Sequence, residues 1–436
     1  MATHYQKIQV TAYFATAILL IAFSFAYPSA IKQAGQEGLM ADFSTTSLTY
    51  TPTQGSLGMV HIEKADFDGT VSIYLEMVVG LPFSGSPDGM SQGYGQLYDV
   101  TNSGAVTGSE TWMYAVADYY LWTSDDFSSY FDTHDDIDAY LQVRAANDLT
   151  TVNLRAWRVV YKQNGTISKT VTYIPLGSNQ TIASQTYADL TYPKWWTYTS
   201  TNYDGSVSTY FCATITDNGS ADTMFAELYN KTDGSAVSNS ILSTTSDVEV
   251  YLTSPALTLT TAKTYTCYIR RGATGTGILR NAFLKIVQTG MSSTTGKFQT
   301  VMQHTCARWT RAGGYVSQTY QGRYNPADWS NATIDFKGEY IIHRTGGTIF
   351  PTAYAHITDD MNEISGSEKS TSNTGYTLLT SGSLTAPNAS SKIDDGIKSS
   401  QGTTADISCG RTILTITNLG TVAEGLTGAQ VIIVNQ

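Results

Sequence analysis

The densest set of side chains able to hold a cation is acidic: Asp125, Asp126, Asp132, Asp135, Asp136 and Asp138, with His134 among them. Hard carboxylate oxygens close together on one loop suit calcium, and Asp132, Asp135, Asp136 and Asp138 are the candidate ligands. Their order is not that of an EF-hand loop, so a solvated acidic loop between strands is the competing reading. Glycosidase chemistry would need two carboxyl groups at a fixed separation. Glu76, Glu227 and Glu339 stand on or near strand-like runs, but nothing in their spacing joins two of them. The six histidines include no HExxH pair, and no GxSxG elbow or GxxxxGK[ST] phosphate loop occurs. The expectation is a chain that is not an enzyme and holds no cofactor, with calcium the one candidate ion.

Tyr192, Trp195 and Trp196, with Tyr198 beside them, form a local aromatic cluster. Such rings either stack on sugars or fill an interface between domains, and the sequence leaves both open. Trp309 and Trp329 read the same way. The four cysteines, Cys212, Cys267, Cys306 and Cys409, form no CxxC pair, so a zinc ribbon is excluded. If the chain is exported they are expected to pair, as Cys212–Cys267 and Cys306–Cys409. Sequons begin at Asn164, Asn179, Asn218, Asn230, Asn331 and Asn388, several beside a turn-forming glycine.

The elements that must carry these residues are strands. Charged residues make up only 14% of the 436, and 29 tyrosines with many Thr and Ser supply polarity instead. Tyr, Thr and Val suit a half-buried pleated surface. Short apolar runs such as Val71–Val79, Thr151–Tyr161, Ala282–Val287 and Arg411–Thr417 alternate near period two. Asp68-Gly69, Asn164-Gly165, Asp204-Gly205, Asn218-Gly219 and Asp233-Gly234 predict tight turns with positive φ. The net charge of −11 and the lack of a basic stripe argue against nucleic acid as a partner. Low charge density also suits an exterior carrying sugars, or an acidic setting.

Residues 8–31 contain no charged side chain. Residues 1–26 read as a signal peptide or as a helix in a membrane or filament core, with membrane contact confined to residues 8–27. Residues 27–45 read as a linker.

An internal repeat organises the rest. Leu97-Tyr98-Asp99 and Val106 to Ser109 match Leu228-Tyr229-Asn230 and Val237 to Ser240 at an offset of 131 residues. A third copy follows at an offset of 127, aligning Ile364 and Ser367 with Val237 and Ser240, and Leu379 with Leu252. That period is the size of a whole β-sandwich domain. The predicted units are residues 46–190, 191–320 and 321–436, with the repeated apolar anchors in their cores.

The run Leu228-Tyr229-Asn230, Asp233-Gly234, Val237 and Ser240, followed by Leu252, Ser254 and Leu257-Thr258-Leu259, resembles repeated jelly-roll (galactose-binding-like) β-sandwich modules of secreted and cell-surface proteins. The resemblance implies an all-β scaffold of three tandem sandwiches and carries no ligand site with it. Together these features point to a structural protein of the cell or virion surface that self-associates into a filament, sheath or lattice. A carbohydrate-binding or adhesion protein is the alternative, and a secreted hydrolase ranks below both. The uncharged Ala429–Val434 segment reads as the last strand of the third domain or as one donated to a neighbour.

Overall fold

The structure is a computed structural model describing residues 30–33, 37–52, 57–82, 91–114, 116–165, 167–219, 222–273, 275–292, 295–317, 322–329, 332–345, 352–360, 362–400 and 404–418. Among these the chain is all-β, apart from the single 3-10 turns Lys64–Asp66, Ser128–Asp132, Ser200–Asn202 and Pro326–Trp329.

The strands form six sheets that pair around three apolar cores. In the last pair, one sheet runs Lys297–Thr310, Thr404–Thr417, Thr333–Thr345, Thr377–Thr380. Its partner runs Val316–Ser317 with Gly322–Tyr324, then Ser391–Ser399, Ala353–Asp359, and Asn362–Glu363 with Lys369–Thr371. This antiparallel order, with first and last strands adjacent, is that of a double-sheet jelly roll. The same order holds for Lys169–Ile182 through Gly277–Thr289, and for Ala30–Gln33 through Val152–Asn164.

Each sandwich therefore opens with a strand lying outside or at the end of the unit expected from sequence. Ala30–Gln33 and Glu37–Thr45, expected to lie in a linker, are strands that both pair with Val152–Asn164. Likewise Lys169–Ile182 pairs with Gly277–Thr289, and Lys297–Thr310 with Thr404–Thr417, so these strands belong to the sandwich that follows them.

The three sandwiches are not beads in tandem but close into a ring. The first core takes in Val171 and Tyr173 of the second sandwich, and the second core takes in Val301 and Ile413 of the third. Lys162 of the first meets Asp328 of the third at 2.6 Å, which closes the circle. This explains two kinds of strand. Gln92–Asp99 alternates strictly between buried and half-buried, as a strand with one face on a core must. Val152–Asn164 is buried on both faces from Ala156 to Tyr161, because the second face packs on a neighbouring sandwich.

Turn chemistry follows the sequence closely. Gly69, Gly165, Gly205, Gly219 and Gly234 all adopt positive φ, between 70° and 101°. The repeat reflects a shared serine latch. Val106, Val237 and Ile364 donate their amides to Leu97, Leu228 and Ile357, each at 2.9 Å. The hydroxyls of Ser109, Ser240 and Ser367 then accept the amides of those same residues, at 3.0, 3.0 and 3.2 Å. The turn before each serine uses a left-handed residue, Gly108, Asn239 or Gly366. Leu97, Leu228, Val106 and Ile364 are buried as expected, while Val237, Leu252 and Leu379 pack at the core margin.

A second latch repeats as well: Ser124, Ser254 and Ser381 accept the amides of Leu75, Phe211 and Gly338, each at 2.9 Å. Ser254→Ala leaves the buried Phe211 amide without this acceptor. It is expected to cost about 1–3 kcal/mol in urea unfolding. A loss within a few tenths would show that the latch is incidental.

Among the described residues no helix is long and apolar enough to cross a membrane. The segment 1–26, the membrane contact at 8–27 and the Ala429–Val434 strand lie outside the described residues.

Candidate functional site

The three seams of the ring can be compared position by position. Counting equally from the strand ends Thr70↔Asn164, Ser206↔Thr289 and Thr333↔Thr417 brings three cross-strand pairs into register: Glu76↔Arg158, Cys212↔Phe283 and Glu339↔Arg411. All six side chains sit on the faces that meet at the seams. Arg158 Nε holds Glu76 Oε2 at 2.8 Å, and Arg411 Nε holds Glu339 Oε1 at 2.7 Å. All four side chains are nearly inaccessible to water. A charge buried this way needs its partner and further hydrogen bonds.

Those further bonds cross the seams. Arg411 donates to the carbonyls of Pro175 and Trp195 in the second sandwich, with its guanidinium 4.9 Å from the Trp196 ring. Arg158 donates to the Gln303 carbonyl of the third sandwich at 3.4 Å. The buried Lys194 reaches the Gln303 amide oxygen at 3.2 Å. At the remaining seam Phe283 needs no such bonds. There Asn281 Nδ2 binds the Gly38 and Met59 carbonyls, both at 2.9 Å, and Lys285 binds Asp66 at 2.5 Å.

The matching outer-sheet position also differs from seam to seam. Trp196 pairs with Tyr265, Gly322 with Ile393, and Val60 with Ala139, at matching places in the three outer sheets. Trp196 covers Arg411, whereas the equivalent over Arg158 is only Gly322. Met302 packs against Gly322, and a narrow cavity beside it is lined by Glu76, Arg158, Met302, Arg323 and Trp329. It adjoins a cleft of about 230 Å³ between the first and third sandwiches, lined by Tyr74, Glu76, Thr123, Lys162, Arg323, Asn325 and Asp328. Of these residues only Glu76 and Trp329 drew attention in the sequence. The signal was the repeat itself, which sets a glycine opposite a tryptophan.

The residues singled out from sequence scatter. Among the described residues no three His, Cys, Asp or Glu side chains converge as metal ligands. Asp132 pairs with Lys64 at 3.1 Å, and Asp136 and Asp138 flank His61 at 3.6 and 2.9 Å. Asp135 is exposed. Asp126 accepts the Ile73 and Ser128 amides, which hold its carboxyl below the usual range against the opposing effect of burial. Trp196 is buried in the seam, and Trp195 is half-buried beneath Lys231, so neither forms an open sugar platform; Tyr192 alone of the cluster is exposed.

Cys212 and Cys267 do not pair. Each is a free thiol, Cys267 in the second core and Cys212 on the seam face of the opposite sheet beside Thr253. Pairing would need both to face one core. Cys306 and Cys409 are register partners on neighbouring strands. Of the sequons, Asn179, Asn218 and Asn388 are exposed and Asn164 is half-buried. Asn230 is buried and bonded to Asp233, and Asn331 lies outside the described residues.

Trp309 is 64% exposed on the third sandwich, and a cluster of exposed rings lies at one open edge of the first. Trp112, Tyr114 and Tyr120 are 52%, 53% and 43% exposed. Tyr114 meets Trp122 edge-on at 5.1 Å, and Trp112 lies 5.8 Å from Tyr114. Lys392 of the third sandwich caps the Tyr120 ring at 3.7 Å.

No protein family matches the chain in sequence, and no curated protein does. Among solved structures it is similar to one described under "The Triple Jelly Roll Fold and Turret Assembly in an Archaeal Virus", with 12% identity over 89% of this chain and 91% of that one, at a TM-score of 0.19. It is also similar to VP2 of the infectious bursal disease virus subviral particle (10% identity, 83% and 76% covered, TM-score 0.21). A third is the CBM22-1–CBM22-2 tandem domain of Paenibacillus barcinonensis Xyn10C (10% identity, 57% and 93% covered, TM-score 0.17). At these values the functional reading rests on the geometry of the chain alone.

Proposed function

We propose that the chain is a non-enzymatic structural block of the cell or virion surface that assembles with copies of itself. The supporting observation is the open aromatic edge of the first sandwich, carried on a ring whose three units are locked by buried ion pairs and hydrogen bonds. A rigid block with one cluster of exposed Trp and Tyr fits repeated lateral contact. Those residue types dominate binding energy at interfaces, and the low charge of the chain limits repulsion between copies. An extracytoplasmic setting follows from the same reading, with residues 1–26 as export signal or anchor.

The test is sedimentation velocity with negative-stain imaging of natively sourced protein. Wild type is expected to form large regular particles. Trp112→Ser with Tyr114→Ser is expected to shift it to monomer without lowering its unfolding midpoint, since both side chains are half exposed or more. A wild-type chain that stays monomeric from mildly acidic to neutral pH would sink the reading.

A second reading, a glycan-binding or adhesion module, draws on the same exposed rings, which could stack on sugar faces. Monomeric wild-type protein whose Trp fluorescence shifts on a glycan array hit, and loses that shift in Trp112→Ser, would favour it.

A further inference from the structure

We propose that the cleft between the third and first sandwiches binds a small polyhydroxylated carboxylate, of the class of a uronic acid unit. The first ground is asymmetry. Three equivalent seams were built from one repeat, and at two of them the matching outer-sheet position carries a large side chain, Trp196 beside Arg411 and Val60 in the first core. The third has Gly322, and a Cβ added there would lie 2.0 Å from Met302 Sδ, so the methionine is packed against the bare backbone. Met302 takes the place of the indole, and beside it a narrow cavity lined by Met302, Arg323 and Trp329 leads from the cleft to Glu76 and Arg158.

The second ground is the charge balance of the walls. Glu76 is neutralised by Arg158, and Asp328 by Lys162 at 2.6 Å. Arg323 is the remaining charge. Among the described residues its guanidinium makes one hydrogen bond, from Nε to Ser390 Oγ at 3.1 Å, and no ion pair. An exposed guanidinium with its two terminal nitrogens open favours a carboxylate, which it can bind through two parallel bonds. In a chain of net charge −11, a cationic cleft runs against the average surface.

The third ground is the rest of the lining. The Tyr74 and Thr123 hydroxyls and the Asn325 amide each both donate and accept, while Lys162 donates and Glu76 and Asp328 accept. A wall of mixed donors and acceptors suits hydroxyls, which also do both. The volume of about 230 Å³ corresponds to roughly seven or eight waters, the size of one sugar ring and its substituents. The cleft adjoins the aromatic edge, since Thr123 follows Trp122 and Arg323 pairs with Lys392, but the two readings are tested with different variants and readouts, so they fail separately.

The test is calorimetric titration of the full chain with D-glucuronate, with D-glucose and acetate as comparators. Glucuronate is expected to bind at least about tenfold more tightly than either comparator, because glucose lacks the charge and acetate the hydroxyls. Arg323→Gln, at an exposed position that leaves the fold intact, is expected to weaken glucuronate at least about tenfold. Thr123→Val, which removes an exposed hydroxyl of the wall and keeps the side-chain shape, is expected to weaken it as well. No binding of glucuronate to wild type, equal binding of glucose or acetate, or an unchanged affinity in Arg323→Gln would each overturn the proposal.

Discussion

Arg411→Ala is expected to lower the unfolding free energy by about 3–5 kcal/mol, the usual cost of leaving one member of a buried ion pair alone. The residue is fully buried, and its removal strands three groups at once. Glu339 loses its counter-ion, and the Pro175 and Trp195 carbonyls lose the donor that joins the third sandwich to the second. The ring supplies its own control, because the equivalent pair at another seam is Cys212 with Phe283. The double change Glu339→Cys with Arg411→Phe removes both charges together, so it is expected to cost less than Arg411→Ala alone. Rescue should be incomplete, with about 1–3 kcal/mol still missing. At the Phe283 seam the facing carbonyls are met by Asn281 and Thr214, and no such donors stand beside Arg411 in those positions, which hold Cys409 and Ile341. Urea unfolding of wild type, single and double variants forms the needed cycle. A cost below about 1 kcal/mol for Arg411→Ala, or a double variant worse than the single, would remove the pair as a fastener of the seam.

The all-β class and the repeat were legible because they depend on local signals. Period-two alternation marks strands, the Gly-bearing turns mark where they reverse, and the Leu–Val–Ser spacing recurs because one serine latch is built three times. What escaped detection depends on contacts between sandwiches. Residues 30–45 lack a repeated anchor and are mixed in composition, so nothing local shows that they complete a sheet with Val152–Asn164. The strands that open the second and third sandwiches escaped for the same reason. Glu76 and Glu339 were noticed as carboxylates on strands, but their partners, Arg158 and Arg411, lie far along the chain in runs of Val, Ile and Thr. A charged residue inside such a run is the signal for a second buried face.

The cleft was hidden more deeply. Lys162, Arg323, Asn325 and Asp328 come from two sandwiches, and only the closure of the ring brings them together. Trp195 and Trp196 drew attention as possible sugar-stacking residues, yet their place is the seam where the indole covers Arg411. The equivalent Gly322 carries no side chain to notice. The difference between the two seams is visible only when equivalent positions are set side by side.

Stability is expected to be greater near pH 5 than near pH 8, with Glu249 the largest single contributor. Its side chain is buried, and burial raises its carboxyl from the ordinary 4.5 to about 7, although Arg280 at 2.5 Å pulls the other way. Between those two values the folded chain holds a proton that the unfolded chain has released. Stability therefore falls as pH rises through that window, by about 3 kcal/mol across the whole of it for this one group. Burial also lifts Glu227 to about 6 and raises Asp66 and Asp406. His61 is lowered by burial but raised more by Asp138, so its bound proton likewise stabilises the fold on the acid side and is lost as pH rises through its raised value. His356 works in the opposite sense: burial lowers it, so its contribution grows as pH rises towards neutrality. Glu368, lowered chiefly by the Tyr315 hydroxyl, and Asp126 and Asp335, lowered against the effect of burial, lose stabilisation only when pH falls through the carboxylate range. These opposing groups set the acid limit of the optimum without moving it to neutrality. Urea midpoints taken from about pH 5 to about pH 8 are expected to decline for wild type. In Glu249→Gln, whose amide resembles the protonated acid, the decline should be clearly shallower. The same pH profile in both proteins would exclude Glu249 as its source, and a rise towards pH 8 in wild type would overturn the acid optimum itself. Such an optimum fits the sparse surface charge, since a fold kept soluble by hydroxyls and amides does not depend on ionised carboxylates to remain in solution.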